Sequence, residues 1–261
     1  MLGGAVLLTS IDRPVNIQST DRLRLSQQLA AAESCDEITN LLVGAFSPFG
    51  YTRFVYGLSL DERPTVSDYV ILTNLSDEWM AFYRSERFYE RDYPLDFLKS
   101  ETTPLRWITI DDRLATEPDG EKYASAWRIV QDWGINSGVT IPLPFVGRYK
   151  GGISLVAPPH ADAEAQDRRY LENEAEILSL VHLVHSSVNK SVIARTHFGL
   201  SNREIDVLQR VSEGRQTKQI AAELETSPHT VEKQIKSART RLGARTTAEA
   251  VTHAALLGMV R

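Results

Sequence analysis

The sequence predicts an α+β chain: an N-terminal α/β/α sandwich around an antiparallel sheet, then a C-terminal four-helix domain of helix-turn-helix type. Three observations carry this reading. Period-two segments are interleaved with helical periodicity up to about residue 190. The tail from Leu200 holds four short amphipathic segments with sharp start and stop signals, and basic charge is concentrated there.

In chain order, helices are expected at 20–33, 36–47, 76–90, 121–133 and 163–190, and strands at 52–59, 68–73, 105–110, 137–143 and 150–157. The long last helix carries Leu171, Ala175, Leu178, Val184 and Val188, read as one side that covers the sheet and helps to pair protomers. Periodicity breaks after Asn189. The expected organisation is an irregular extension over 1–18, a larger domain over 19–188, a linker over 189–199 and a four-helix domain over 200–261.

A length of 261 residues with 42% hydrophobic content permits a true core in the larger domain. The single cysteine, Cys35, excludes an intramolecular disulfide and suits a reducing cytoplasm. The opening MLGGAVLLTS lacks a basic n-region, so no signal peptide is expected, and no stretch approaches a membrane span.

The tail announces its own helices. Ser201 with Glu204 and Thr246 with Glu249 have capping-box spacing, Ser227 precedes Pro228 as an N-cap before an N1 proline, and Gly214 and Gly243 supply stops. Leu208 and Val211 face inward on the first helix, Ile220 and Leu224 on the second, and Val231, Ile235, Ala238 and Leu242 on the third. Opposite that stripe the third helix presents His229, Lys233, Lys236 and Thr240, with Arg239 and Arg241 near its end. A lysine-rich face alone is as readily a solvated one. Here the tail carries ten Lys and Arg against seven Asp and Glu, a net of +3, which leaves −8 for the rest of a chain whose total is −5. Such segregation points to a helix that enters the major groove of duplex DNA, with Thr217, His229, Thr230, Lys233, Lys236, Arg239 and Thr240 as the contacting set. A net of +3 predicts weak binding by one tail, so two copies on a two-fold site are expected.

The run LSNREIDVLQRVSEGRQTKQIAAELETSPHTVEKQIKSARTRLGARTTAEAV resembles the LuxR-type helix-turn-helix from end to end. Two positions depart from the family's habit: Gln234 stands where histidine is common, and Glu232 where a basic groove-contacting residue is common. Glu232 either accepts from cytosine N4 or lies along the groove edge paired with a basic neighbour. The resemblance implies that the last helix pairs two DNA-binding domains, through Ala250, Val251, Ala254 and Leu257.

In the larger domain, Trp79 and Tyr83 lie one helical turn apart, Asp92 follows nine residues later in a loop set by Tyr93 and Pro94, and Trp107 fifteen after that. By periodicity alone such aromatics are core. Chemically, an indole N–H only donates and a carboxylate only accepts, so together they can hold two ends of an amide or lactone. The spacing of these four residues, with NSGVTIPLP and KGGISLV further on, is similar to the N-acyl-homoserine-lactone-binding domain of quorum-sensing regulators. That resemblance implies that Trp79 donates to a lactone carbonyl, Asp92 accepts from the amide N–H, Tyr83 and Trp107 wall the pocket, and Ser154 reaches the amide carbonyl. Leu75 replaces a tyrosine that many members use for that carbonyl, and Tyr93 intrudes where Asp-Pro is usual.

Enzyme readings find no support. A nucleophile elbow and a phosphate-binding glycine loop are absent, and His182 and His185 have no third ligand at useful spacing, so neither a catalytic residue, a metal nor a cofactor is expected. The chain is expected to be a ligand-responsive, dimeric transcriptional regulator, most simply a receptor for an N-acyl-homoserine lactone. The alternatives are a receptor for another small molecule and a ligand-independent DNA-binding regulator.

Overall fold

The computed structural model describes residues 18–59, 69–143 and 150–260; apart from Gln18, the expected extension lies outside them. Strands β1 (Arg53–Ser59), β2 (Tyr69–Thr73), β3 (Leu105–Arg106), β4 (Gly138–Leu143) and β5 (Lys150–Val156) form one antiparallel sheet in the order β2-β1-β5-β4-β3. Its faces are filled by alternate residues of each strand. Phe54, Tyr56, Val139, Ile141, Ile153 and Leu155 pack with helices α1 (Ser19–Ala31), α2 (Cys35–Phe46) and α7 (Ala163–Ser187). Val55 and Val156 face the opposite layer of α3 (Asp77–Ser85), α4 (Tyr93–Phe97), α5 (Ile110–Leu114) and α6 (Gly120–Asp132).

Local signals explain most of the helix starts. Ser34, Ser76 and Asp162 each accept a backbone N–H three residues on, capping α2, α3 and α7. Three expectations need correction. The helix expected over 76–90 stops at Ser85, because Arg87 takes a left-handed conformation (φ 48°) that turns Phe88 and Tyr89 into the core. The strand expected over 105–110 is only two residues long; a 3-10 turn at Trp107–Thr109 leads into α5, whose first turn carries Asp111 and Asp112, favourable beside a helix N-terminus. The supposed single side of α7 is two sides. Thirteen residues turn a helix through about 220°, so Val184 and Val188 are buried while Leu171 and Ala175 are exposed.

Residues 190–198 form α8 (Lys190–Phe198), bent 67° from α7 and lying against β2 and α2. The bend has a cause: the backbone and side-chain amides of Asn189 donate to the Leu29 and Ala32 carbonyls at the end of α1. After α8 come α9 (Asn202–Ser212), α10 (Thr217–Glu223), α11 (Pro228–Arg241) and α12 (Thr247–Leu256). Ser201 and Glu204 form a full capping box at α9. At α12 only half the box forms: Thr246 accepts from Glu249 N, but the Glu249 carboxylate turns to Arg245 N at 2.7 Å. Gly243 (φ 64°) closes α11 in a Schellman-like turn, with Ala244 N–H donating to Arg239 O.

The face of α12 expected to pair protomers is spoken for. Ala250, Ala254 and Leu257 are buried within the chain, packed in the cluster that contains Leu208 and Leu242, because α12 must cover α9 and α11. Its outward residues are Ala248, Thr252 and Ala255, with Val251 half-buried.

Glu204 ties the tail together. Only 5% exposed, its carboxylate accepts from Ser201 N (2.7 Å) and Ser201 Oγ (2.8 Å) and meets Arg241 Nε at 3.3 Å. Arg241 also donates to the Gly199 carbonyl at the end of α8 (2.7 Å). Burial pushes the Glu204 carboxyl up, but hydrogen bonds from Ser237 and Ser201 and the charge of Arg241 outweigh it and hold it below 4.5. Its stabilisation is therefore fully present above pH 4.5 and is lost as pH falls through the lower folded value. Glu204→Ala is expected to lower unfolding stability at neutral pH by about 1–3 kcal/mol, with a smaller deficit in acid; equal urea midpoints at neutral pH would refute the role.

Candidate functional site

The sheet face opposite α7 carries an aromatic cluster. Trp79, on α3 and 4% exposed, lies within 5.4–5.9 Å (ring centroids) of Phe82, Tyr83, Phe88 and Trp133. Trp107 meets Trp127 edge-on at 5.5 Å, and Tyr93 meets Tyr123 at 5.5 Å. All four tryptophans of the chain, Trp79, Trp107, Trp127 and Trp133, therefore belong to this side of one sheet.

Two polar groups are set into it with opposite hydrogen-bonding character. Asp92 does not sit in an open loop: it caps α4, accepting from Leu95 N (3.2 Å) at one carboxylate oxygen and from the Tyr83 hydroxyl (2.7 Å) at the other. Pro94 suits the first turn, and Tyr93 is the first helical residue, buried against Phe97 and Tyr123. The second group comes from the sheet. Thr140 and Ser154 are cross-strand partners, their hydroxyls 2.8 Å apart, and Trp107 Nε1 donates to Thr140 Oγ1 at 2.9 Å. Gly138 makes room for Trp107, since a Cβ there would stand 2.9 Å from the indole. Gly152 likewise leaves bare backbone under Leu98, whose methyl lies 2.6 Å from the position of a Cβ.

Of the residues expected at this site, Leu75, Trp79 and Trp107 are buried in one cluster; Tyr83 packs against it and holds Asp92, and Ser154 is linked to it through Thr140. Sequence reasoning missed Thr140, Trp127 and Trp133. Thr140 was within reach, as it alternates with Gly138 and Pro142 on one strand face. Trp127 and Trp133 sit on and after α6, where nothing in the spacing sets them apart from ordinary core residues.

The DNA-reading expectation concerns α10 and α11. His229, Lys233, Lys236 and Thr240 are exposed on α11, opposite buried Val231, Ala238 and Leu242. Thr230 and Thr217 are half-buried, Thr230 with its hydroxyl 2.9 Å from Ser227 Oγ at the cap. Arg239 is half-buried and donates to the Arg245 carbonyl. Among the described residues no cluster of His, Cys, Asp and Glu could hold a metal ion, and no single helix is long and apolar enough to cross a membrane.

Comparison with known proteins agrees with this division of labour. The autoinducer binding domain family matches residues 34–188, more than half the chain, and the luxR family of bacterial regulatory proteins matches residues 199–254. The chain belongs to the LuxR family of quorum-sensing regulators and is a DNA-binding regulator. It is 25% identical over 238 residues to the transcriptional activator protein VanR of Vibrio anguillarum, covering 91% of this chain and 97% of that one. It is 23% identical over 234 residues to AnoR of Acinetobacter nosocomialis, covering 86% and 92%. The structure of SdiA of Escherichia coli in complex with octanoyl-rac-glycerol shares the fold, with a TM-score of 0.51 and 17% identity over 95% of this chain and 99% of that one.

Burial pushes the Asp92 carboxyl above 3.8, against the hydrogen bonds from Tyr83 and Leu95 that lower it. A raised folded value means that ionised Asp92 costs stability, a cost that sets in as pH rises through 3.8 and is complete above the folded value. Asp92→Asn, which keeps a capping side chain, is expected to melt higher than the ligand-free wild type at neutral pH, with the difference shrinking toward acid. A lower melting temperature for the variant at neutral pH would contradict this.

Proposed function

We propose that the chain is a cytoplasmic receptor for an N-acyl-homoserine lactone that binds a two-fold DNA site as a dimer. The observation that carries this reading is the pairing of Asp92, an acceptor steadied by Tyr83, with Ser154, a hydroxyl steadied by Thr140, around one aromatic cluster. An amide offers that pair an N–H and a carbonyl of matching polarity. Trp79 is the donor for a lactone carbonyl, Tyr83 and Trp107 are walls, and Leu75 adds apolar surface where a hydroxyl is lost, which leaves Ser154 to serve the amide carbonyl alone.

Binding couples to DNA through the receptor's own stability. A ligand that holds Asp92 and Ser154 stabilises the folded receptor by mass action and so raises the population able to dimerise. The modest charge of the tail supports the need for two copies. With three residues of α12 buried internally, the outward Ala248, Thr252 and Ala255 are the surface left for pairing tails.

The test uses the full chain with N-acyl-homoserine lactones of graded acyl length, read by thermal shift and by promoter activity in cells. At least one lactone is expected to raise the melting temperature; Trp79→Phe should weaken it about fivefold and Asp92→Asn at least tenfold. A full response in both variants would sink the lactone assignment. On DNA, Lys233→Ala and Lys236→Ala are each expected to weaken operator binding, and where the lysine meets a phosphate to reduce the salt slope by about one. Gel-shift titrations over a salt series decide it, and unchanged affinity would displace the groove face.

A further inference from the structure

Glu232 lies on α11 between His229 and Lys236 on the helix surface, in the N-terminal half from which base contacts come. It is exposed, and among the described residues its carboxylate makes no ion pair and no hydrogen bond. The alternative of a basic partner is not realised. Lys236, four residues on and favourably placed for one, leaves it alone; Arg239 is committed to the Arg245 carbonyl. Glu232, Lys236 and Arg239 instead line an open groove between α11 and α12.

A bare carboxylate on a DNA-reading face is costly unless it meets a donor, because phosphates repel it. The major groove offers only two base donors, cytosine N4 and adenine N6. Adenine N6 is flanked by acceptors on both sides, N7 of its own base and O4 of the paired thymine. Cytosine N4 has an acceptor on one side only, O6 of the paired guanine, and a C–H on the other. A two-oxygen acceptor is therefore less opposed at cytosine, and a lysine one turn away can bind the O6 and N7 of that guanine and offset the negative charge. Resting on the groove face described above, we propose that Glu232 is a specificity-determining residue that reads a cytosine in each half-site, with Lys236 as its counter-charge.

Selection of random-sequence duplex DNA by the full chain, with the lactone series present, followed by sequencing, tests this. Wild type is expected to enrich a two-fold motif with one C·G position per half-site favoured about tenfold or more. E232Q should move that position to A·T, because a glutamine amide bonds adenine N6 and N7 together, and E232A should leave it unspecified while the rest of the motif persists. A merely structural Glu232 would not change base identity. If both variants enrich the wild-type motif, the assignment is overturned and the groove face stands; if wild type enriches no sequence, the groove face fails and the assignment falls with it.

Discussion

One sheet must be covered on both faces, and the two covers obey different rules. Toward α1, α2 and α7 the strands present Phe54, Tyr56, Ile141, Ile153 and Leu155, which need nothing but apolar neighbours. Toward α3–α6 the same strands present Thr140, Ser154, Gly138 and Gly152, small or polar positions that cannot fill a core by themselves. Aromatic rings from the helices complete that side, and hydroxyls and a carboxylate are stranded among them. This side of the sheet is therefore closed by aromatic rings and hydrogen-bonded polar groups together, where the other side needs apolar contacts alone.

The face toward α1, α2 and α7 also reaches the tail. Its apolar cluster runs from the sheet through Val184, Val188, Ile193 and Phe198 into Leu200, Leu208 and Leu242, so receptor and tail share a continuous packed path along α8. The aromatic side is a separate cluster. The sheet stands between this cluster and the path to the tail, whose far end Glu204 and Arg241 fix.

Much of this was legible because the sequence states it locally. Ser201, Ser227, Gly214 and Gly243 mark helix limits by chemistry that acts over three or four residues, and alternation in β4 and β5 marks a two-faced sheet. What escaped depends on partners far along the chain. The end of α3 turns on burying Phe88, and the break before α8 on the Leu29 and Ala32 carbonyls at the end of α1, the nearer of them 157 residues from Asn189. The inward turn of α12 depends on α9 and α11 needing a cover, which no periodicity within α12 reveals. At the site, the spacing of Trp79, Tyr83, Asp92 and Trp107 was readable, whereas Thr140 gains its meaning only from the indole it accepts and the strand beside it.

All four tryptophans cluster on the aromatic side of the sheet, and the segment after α8 has none. The intrinsic emission of this protein is therefore a private channel to one half of the molecule. Its colour and quenching report the surroundings of those four indoles, while the tail, with neither tryptophan nor tyrosine after Tyr170, is spectroscopically silent. Changes around the aromatic cluster can therefore be followed without a label while duplex DNA is present, because the tail contributes no emission to mask them.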